Sequence, residues 1–310
     1  MRSLISVFIL YFLLLGISSA FAQEASSKKI VITGVRFAYP LVEKWIEAYK
    51  TANPDVDIKI EPRTVTDPSQ YDLLIEAYEP DDKIKDSRDF VYLARYSLLP
   101  VANAKSSFAK TYADKGLTKD KIIQTYFNDV TASRKDDKLD PASYTLYTRL
   151  QKAGAPITFA HYFGYQQANI KGRAIAGADE HLIKSLLKDS TGVSYGVPGL
   201  LYDVKSRKPL EGLVILPVDA DNNGRVSDNE KFYDNLDVVL QKIEDEAPKN
   251  IPVEYLHLSI AKNGSNPEAL KFLKWVLDNS QDTLHDFGFL KPEPKRFLPS
   301  KEKFDGVAIN

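Results

Sequence analysis

The sequence contains no cysteine and a single methionine, at position 1. Disulfides, thiolate zinc sites, iron–sulfur clusters and cysteine nucleophiles are therefore excluded. An excess of charge of either sign is also missing: 41 lysines and arginines stand against 42 aspartates and glutamates, a formal net charge of -1. That balance argues against a nucleic-acid partner, because no surplus of cations is available to neutralise a phosphate backbone. A small anion needs only a few local donors, so it stays open. The four histidines, His161, His181, His257 and His285, lack the spacing of a transition-metal site. No G-x-S-x-G elbow, H-E-x-x-H helix, phosphate loop or G-x-G-x-x-G fingerprint occurs. Glu76, Asp81 and Asp82 supply carboxylates, but spacing alone does not put two of them across a glycosidic bond. The expectation is a protein that is not an enzyme.

What is present begins with a targeting signal. Met1-Arg2 is a short basic start, Leu4 to Ile17 is almost wholly apolar, and Ser18-Ser19-Ala20-Phe21-Ala22 has the small-x-small pattern of a signal-peptidase site. Residues 1–22 are thus expected to be cleaved before Gln23, giving a protein exported to a periplasm. No later run of about 18 apolar residues follows. The remaining length fills two ordinary cores or one large one.

The body alternates strand and helix patterns. Lys29 to Gly34 reads as a strand, Tyr39 to Tyr49 as a helix with Leu41, Trp45, Ala48 and Tyr49 on one face, and Val56 to Ile60 and Tyr71 to Ile75 as further strands. This opening predicts an α/β layer. Phe90 to Leu93 and Leu98 to Val101 form apolar clusters that run from one unit into a second. Ser106 to Lys138 reads as polar and helical, with Thr118 as an N-cap. Tyr144 to Leu150 and Thr191 to Val197 read as strands around a helix at Asp179 to Leu187. Val253 to Ile260 alternates and leads into an amphipathic helix carrying Leu270, Leu273 and Leu277, expected to return to the first unit. Two crossings make a hinge.

Several of these segments, in this order, resemble the phosphate-binding proteins of bacterial phosphate ABC transporters. The similarity is carried by Thr33-Gly34-Val35-Arg36-Phe37-Ala38-Tyr39-Pro40-Leu41 with Lys44 to Tyr49, by Leu98 to Val101, Gly116-Leu117-Thr118 and Val193 to Gly196, and by Phe272 to Leu277 with Phe287-Gly288-Phe289. It spans about residues 29 to 290. The resemblance implies an α/β, two-lobed type II periplasmic-binding-protein fold with hinge crossovers and an interlobe cleft. Residues 23–98 plus 254–310 would form the first lobe and 99–253 the second. It also implies a monomeric solute-binding protein that delivers phosphate or a related small oxyanion to a permease in the inner membrane. The chain departs from the family in its phosphate-binding loops. Glu61 to Ser69 stands where the family has a Ser-Ser-Gly-Gly-like helix start, and Ala155 to His161 stands where an Asp-Gly-Ser-Gly-Thr-like loop follows an arginine. The alternative is a binding-protein-like envelope interaction or signalling module that has lost high-affinity phosphate binding.

Replacement donors are available. Arg36 and Phe37 occupy the turn after the first strand, where open α/β sheets commonly place ligands. Arg149 is the candidate clamp from the other lobe, and Thr33, Arg63 and His161 are additional candidates.

The most specific local motif lies elsewhere. Asp219 to Glu230 fits D-x-[DN]-x-[DN]-G-x₅-E at all its positions. Hard Ca²⁺ needs clustered oxygens, which Asp219, Asp221, Asn223, the Arg225 carbonyl, Ser227 and Glu230 offer, with Gly224 at the sharp turn and Val226 facing the core. Leu213 to Pro217 reads as a strand before it and Asn229 to Ile243 as a helix after it. A single strand–loop–helix copy predicts a structural Ca²⁺ clip, the alternative being an acidic surface turn.

Overall fold

The computed structural model describes residues 28–62, 67–79, 82–128 and 143–305. The expected signal peptide with its cleavage point, Asp81, Arg63 and the end of the polar stretch running to Lys138 lie outside them.

The first sheet begins with β1 (Lys29–Gly34), which a 3₁₀ turn at Arg36–Ala38 joins to α1 (Tyr39–Ala52). Pro40 falls in the first turn of α1, where its missing N–H costs nothing. β2 (Asp57–Ile60), β3 (Leu73–Glu76), the short α2 (Asp82–Ser87) and the ten-residue β4 (Arg88–Ser97) follow. Here the chain leaves for the second sheet, built from β5 (Leu99–Asn103), β6 (Thr145–Arg149), β7 (Arg173–Ile175), β8 (Gly192–Gly196) and β9 (Leu213–Ile215). Its helices are α3 (Ser107–Lys115), α4 (Lys119–Tyr126), α5 (Gly154–Tyr162), α6 (Asp179–Lys188), α7 (Pro198–Leu201) and α8 (Leu236–Glu246). β10 (Val253–Ala261) returns to the first sheet and leads into α9 (Pro267–Asn279) and α10 (Pro294–Asp305).

The strand orders are β2-β1-β3-β10-β4 and β7-β6-β8-β5-β9. In each sheet four strands share one direction and the fifth, β10 in the first sheet and β5 in the second, runs antiparallel to both of its neighbours. The chain passes between sheets at Leu98 and again at Pro252, and the Leu98 N–H donates to the Pro252 carbonyl at 2.9 Å. The two crossings therefore lie side by side, and β10 joins the first sheet from Val253.

The sequence patterns place most elements, with two corrections. Within the polar stretch from Ser106, Thr118 caps a helix as expected, and the described part is two helices broken at Gly116, which adopts φ +67°; Ser106 caps the first through its hydroxyl. The helix expected over Asn229 to Ile243 is a 3₁₀ turn at Asp228–Glu230 followed by α8, because Asn235 breaks the chain and caps Asp237 at 2.9 Å. Ala155 to His161, read as a loop position, lies within α5. Among the described residues no helix is long and apolar enough to cross a membrane.

α9 packs against α1 and β1, as its apolar face requires. Tyr49 meets Phe272 and Trp275 edge-on at 5.1 and 5.6 Å, and the Trp45 indole N–H donates to Thr283 at 3.1 Å. β10 is a central strand buried on both faces. Leu256, Leu258 and Ile260 occupy one face, and Ser259 and His257 the other. Arg88 reaches in to donate to Ser259 Oγ at 2.9 Å and to its carbonyl at 2.8 Å.

His257 meets the Tyr92 ring at 4.9 Å and the Phe90 ring at 6.3 Å, neither ring nitrogen has a hydrogen-bond partner, and Glu79 Oε2 is 4.0 Å from Nε2. Burial drives its pKa down to about 4, against the pull of Glu79. Between about pH 6.5 and about 4 the unfolded chain binds a proton that the folded chain refuses. Stability is thus fully present above that window and lost through it, by up to about 3 kcal/mol. Denaturant midpoints measured across this range should fall less steeply in His257→Leu than in the wild-type protein; parallel profiles would show that His257 titrates normally.

Candidate functional site

The cleft between the sheets has a volume of about 430 Å³. Its first wall is the turn after β1. Gly34 has φ +143°, and a Cβ there would lie 2.0 Å from the Ile75 carbonyl oxygen, so glycine lets β1 end hard against β3. Val35 N–H then donates to Ile75 at 3.0 Å, and the Tyr39 hydroxyl closes the turn on the Gly34 carbonyl at 3.0 Å. Phe37 is buried against Tyr96 and Phe289, ring centroids 5.1 and 6.1 Å away, which anchors the turn. Arg36 is exposed at the rim.

The second wall comes from the ends of β6 and the starts of α5 and α6. Arg149, 9% exposed, lines the cleft; its Nη1 pairs with Asp179 at 2.7 Å, while its Nε is buried with no hydrogen-bond partner. Asp179 also lines the cleft. Burial raises its carboxyl pKa and the Arg149 guanidinium opposes the rise, leaving it above the ordinary value. Gln151 takes the Gly177 N–H at 3.1 Å and His181 Nδ1 takes that of Ala178 at 3.0 Å, so the loop before α6 is internally satisfied. Lys152, Ala153 and Gly154 complete the wall. Ala153 offers α5 no side-chain cap, which leaves its first-turn amides at the cleft beside Lys152 and Arg36. Uncapped amides, an ammonium and two guanidiniums suit an anion; Asp179 opposes one unless it is neutralised or shielded by Arg149.

Of the residues singled out in the sequence, Arg36, Phe37 and Arg149 meet at this cleft. Thr33 does not: it is buried, and its hydroxyl donates to the Glu61 carbonyl at 3.0 Å. A residue one place before Gly34 points to the opposite side of a strand, which is the reason. His161 is also elsewhere, exposed near the end of α5 and lining a separate cavity of about 290 Å³. Helix periodicity carries it away from the N-terminal turn that faces the cleft. The sequence reading missed Gln151, Lys152 and Asp179. The run Gly154-Ala155-Pro156 just after a strand carried a signal, since proline in a first turn marks a helix start.

Across the cleft floor α5 rests on the end of β3. The fully buried Tyr96 hydroxyl donates to the Ala77 carbonyl and is 2.7 Å from Thr158 Oγ1, and a Cβ on Gly154 would lie 2.7 Å from that of Ala77.

Outside the cleft lining, loop 219–230 closes on itself. Asp219 is buried and accepts from the amides of Asn223 and Gly224 at 2.9 and 2.8 Å. Glu230 accepts from Ala220, Asp221 and Ser227 amides at 2.6, 3.1 and 2.7 Å, and from the Ser227 hydroxyl at 2.9 Å. Asn223 Oδ1 takes the Arg225 amide at 3.1 Å. One oxygen each from Asp219, Asp221 and Glu230 lie within 4.8 Å of one another, a spacing that fits a hard divalent cation. Val226 packs onto Gly116, where a Cβ would sit 2.3 Å from its Cγ2.

No protein-family model matches the chain, and no curated protein matches it. Solved structures do. A protein named as a phosphate ABC transporter substrate-binding protein from Clostridium perfringens, with bound phosphate, is 15% identical with a TM-score of 0.63, covering 86% of this chain and 100% of its own. An ABC-type phosphate transport receptor from Vibrio cholerae is 12% identical with a TM-score of 0.55, covering 85% of this chain and 100% of its own. The CcmR regulatory domain from Synechocystis PCC6803, in complex with 2-PG, is 12% identical with a TM-score of 0.50, covering 82% of this chain and 98% of its own. The chain has the two-lobed α/β fold that the first two share. At these identities the likeness fixes the fold and leaves the ligand to the chemistry of the cleft.

The α5 contact makes its own prediction. Gly154→Val should wedge the lobes apart, lower stability by about 1–3 kcal/mol and increase the radius of gyration in small-angle scattering. Adding Ala77→Gly to Gly154→Ala should recover most of the loss in the single Gly154→Ala variant; no recovery would mean the two residues do not meet.

Proposed function

We propose that this protein is an exported, noncatalytic solute-binding protein whose interlobe cleft captures phosphate or a related small oxyanion for a membrane permease. The observation that carries the reading is Arg149, nine-tenths buried at the cleft with Nε unpartnered, because an idle buried guanidinium N–H is costly unless an acceptor arrives. Arg36 from the first lobe, with Lys152 and the α5 amides from the second, supplies the opposing donors. An anion held by both lobes stabilises the closed population, and this is the state a permease would read. The fold shared with phosphate-transport receptors supports the setting, and the apolar segment at Leu4 to Ile17 supports export.

Asp179 favours a second reading, a binding-protein scaffold repurposed for envelope interaction or signalling, because it occupies the guanidinium that would meet a ligand. Calorimetric titration with phosphate, with sulfate and molybdate as competitors at fixed ionic strength, separates the two. Saturable, discriminating binding is expected. Absence of both heat and thermal stabilisation would favour the repurposed scaffold.

Two variants test the charge arrangement. Arg36→Gln should weaken phosphate binding about tenfold, the loss of one charge-assisted hydrogen bond. Asp179→Asn should tighten it by a similar factor, since it frees Arg149 while preserving the side-chain shape. Unchanged affinity in both would place the anion elsewhere.

We further propose that loop 219–230 is a structural Ca²⁺ clip, with Asp219, Asp221, Asn223, the Arg225 carbonyl, Ser227 and Glu230 as its oxygen donors. Glu230→Gln should reduce the rise in melting temperature produced by Ca²⁺ at a concentration that saturates the wild type. An identical rise in the variant would remove Glu230 from the ligand set.

A further inference from the structure

α5 has a cavity on either side of its contact with Ala77. The anion cleft opens at its first turn. Past Thr158, the cavity of about 290 Å³ is bounded by Tyr78, Glu79 and Glu254 from the first lobe and by Ile157, His161 and Tyr162 from the second. Its chemistry is the reverse of the cleft's: no lysine or arginine lines it, while two carboxylates and two tyrosines do.

The carboxylates differ. Glu79 is exposed and pairs with Lys85 at 3.1 Å. Glu254 is half-buried and accepts the amide of Tyr255 at 2.8 Å, and among the described residues no lysine or arginine bonds to it. Burial pushes its carboxyl pKa up and the nearby Glu79 adds to the rise, while the Tyr255 amide and the charge of Arg296 oppose it, leaving it above the ordinary value. A half-buried carboxylate beside a second one, with Arg296 acting on it through charge alone, is stabilised further by a positive charge that enters the cavity. His257 does not supply that charge. It is buried behind Glu79 with both ring nitrogens unpartnered, and burial keeps it neutral at pH 7.

A bare metal ion is a poor fit. No three of Glu79, Glu254, His161 and His257 converge closely enough to share one; among the described residues only Asp219, Asp221 and Glu230 do so. The cavity is larger than an ion needs, and Ile157 and Val253 give it an apolar wall. Tyr162, a large ring left 44% exposed, lines the cavity and is the aromatic surface there that a cation can meet.

We propose that this cavity binds a small organic ammonium ion, its nitrogen held by Glu254 and Glu79 and its carbon skeleton against Tyr162, Ile157 and Val253. The walls belong to both lobes, so an occupant fixes α5 against the first lobe and is coupled to the anion cleft on the far side of the same helix. By linkage, each ligand alters the affinity of the other by the same factor.

The test titrates the whole protein with n-butylammonium, using n-butanol as the uncharged analogue, by calorimetry and by chemical-shift perturbation. Saturable binding of the ammonium and none of the alcohol is expected. Glu254→Gln and Tyr162→Ala should each weaken it by about tenfold, with circular dichroism melts verifying that both variants are folded. Arg36→Gln, on the other side of α5, should leave ammonium binding in place, which separates this site from the anion cleft. Equal responses to ammonium and alcohol, absence of saturation in the folded protein, or an unchanged dissociation constant in Glu254→Gln would each overturn the proposal.

Discussion

The seat of α5 on the end of β3 is the contact on which the rest of the molecule turns. Tyr96, Ala77 and Thr158 share one buried hydrogen-bonded cluster, and Gly154 lets the helix approach Ala77 with no side chain between them. Tyr96 and Ala77 belong to the first lobe, Gly154 and Thr158 to the second. A buried polar cluster holds its geometry strongly, because every group that moves away is left without a partner. The crossings at Leu98 and Pro252, tied by a backbone hydrogen bond, complete the joint. A helix that rocks on this seat changes the spaces on both sides of it together.

Charge is distributed around that seat with a clear division. The first turn of α5 brings uncapped amides and Lys152 to one cleft, where Arg36 faces them from the other lobe. The opposite cavity is acidic and aromatic. Arg149 and Asp179 are the exception, a close ion pair at the cationic cleft. Their pairing offsets part of the cost of burying each, so either one alone would be left as an uncompensated charge.

The loop at 219–230 connects to the same joint by a different route. Asn250, in a left-handed conformation at φ 64°, donates to the Asp219 carbonyl at 2.7 Å and to Asn222 Oδ1 at 3.1 Å, and the Lys249 amide donates to the Ala220 carbonyl at 2.6 Å. Two residues later the chain enters the second crossing at Pro252. The loop therefore braces the turn that delivers β10 to the first sheet, and Val226 on Gly116 fixes its other flank to the break between α3 and α4.

Local periodicity made the α/β alternation, the two crossings and the twelve-residue acidic loop legible in the sequence, because each is written in neighbouring residues. Gly34 and the turn at Arg36 and Phe37 were legible for the same reason. Tertiary structure alone decided which side chains share a cavity. Thr33 and Arg36 are three residues apart, yet strand alternation turns Thr33 inward to Glu61 while the turn after Gly34 leaves Arg36 at the rim. His161 and Gly154 lie on one helix, but two turns of rise separate the cationic cleft from the acidic cavity. The pairing of Arg149 with Asp179 depends on how the ends of β6 and α6 are packed, across 30 residues of chain that carry no local record of it.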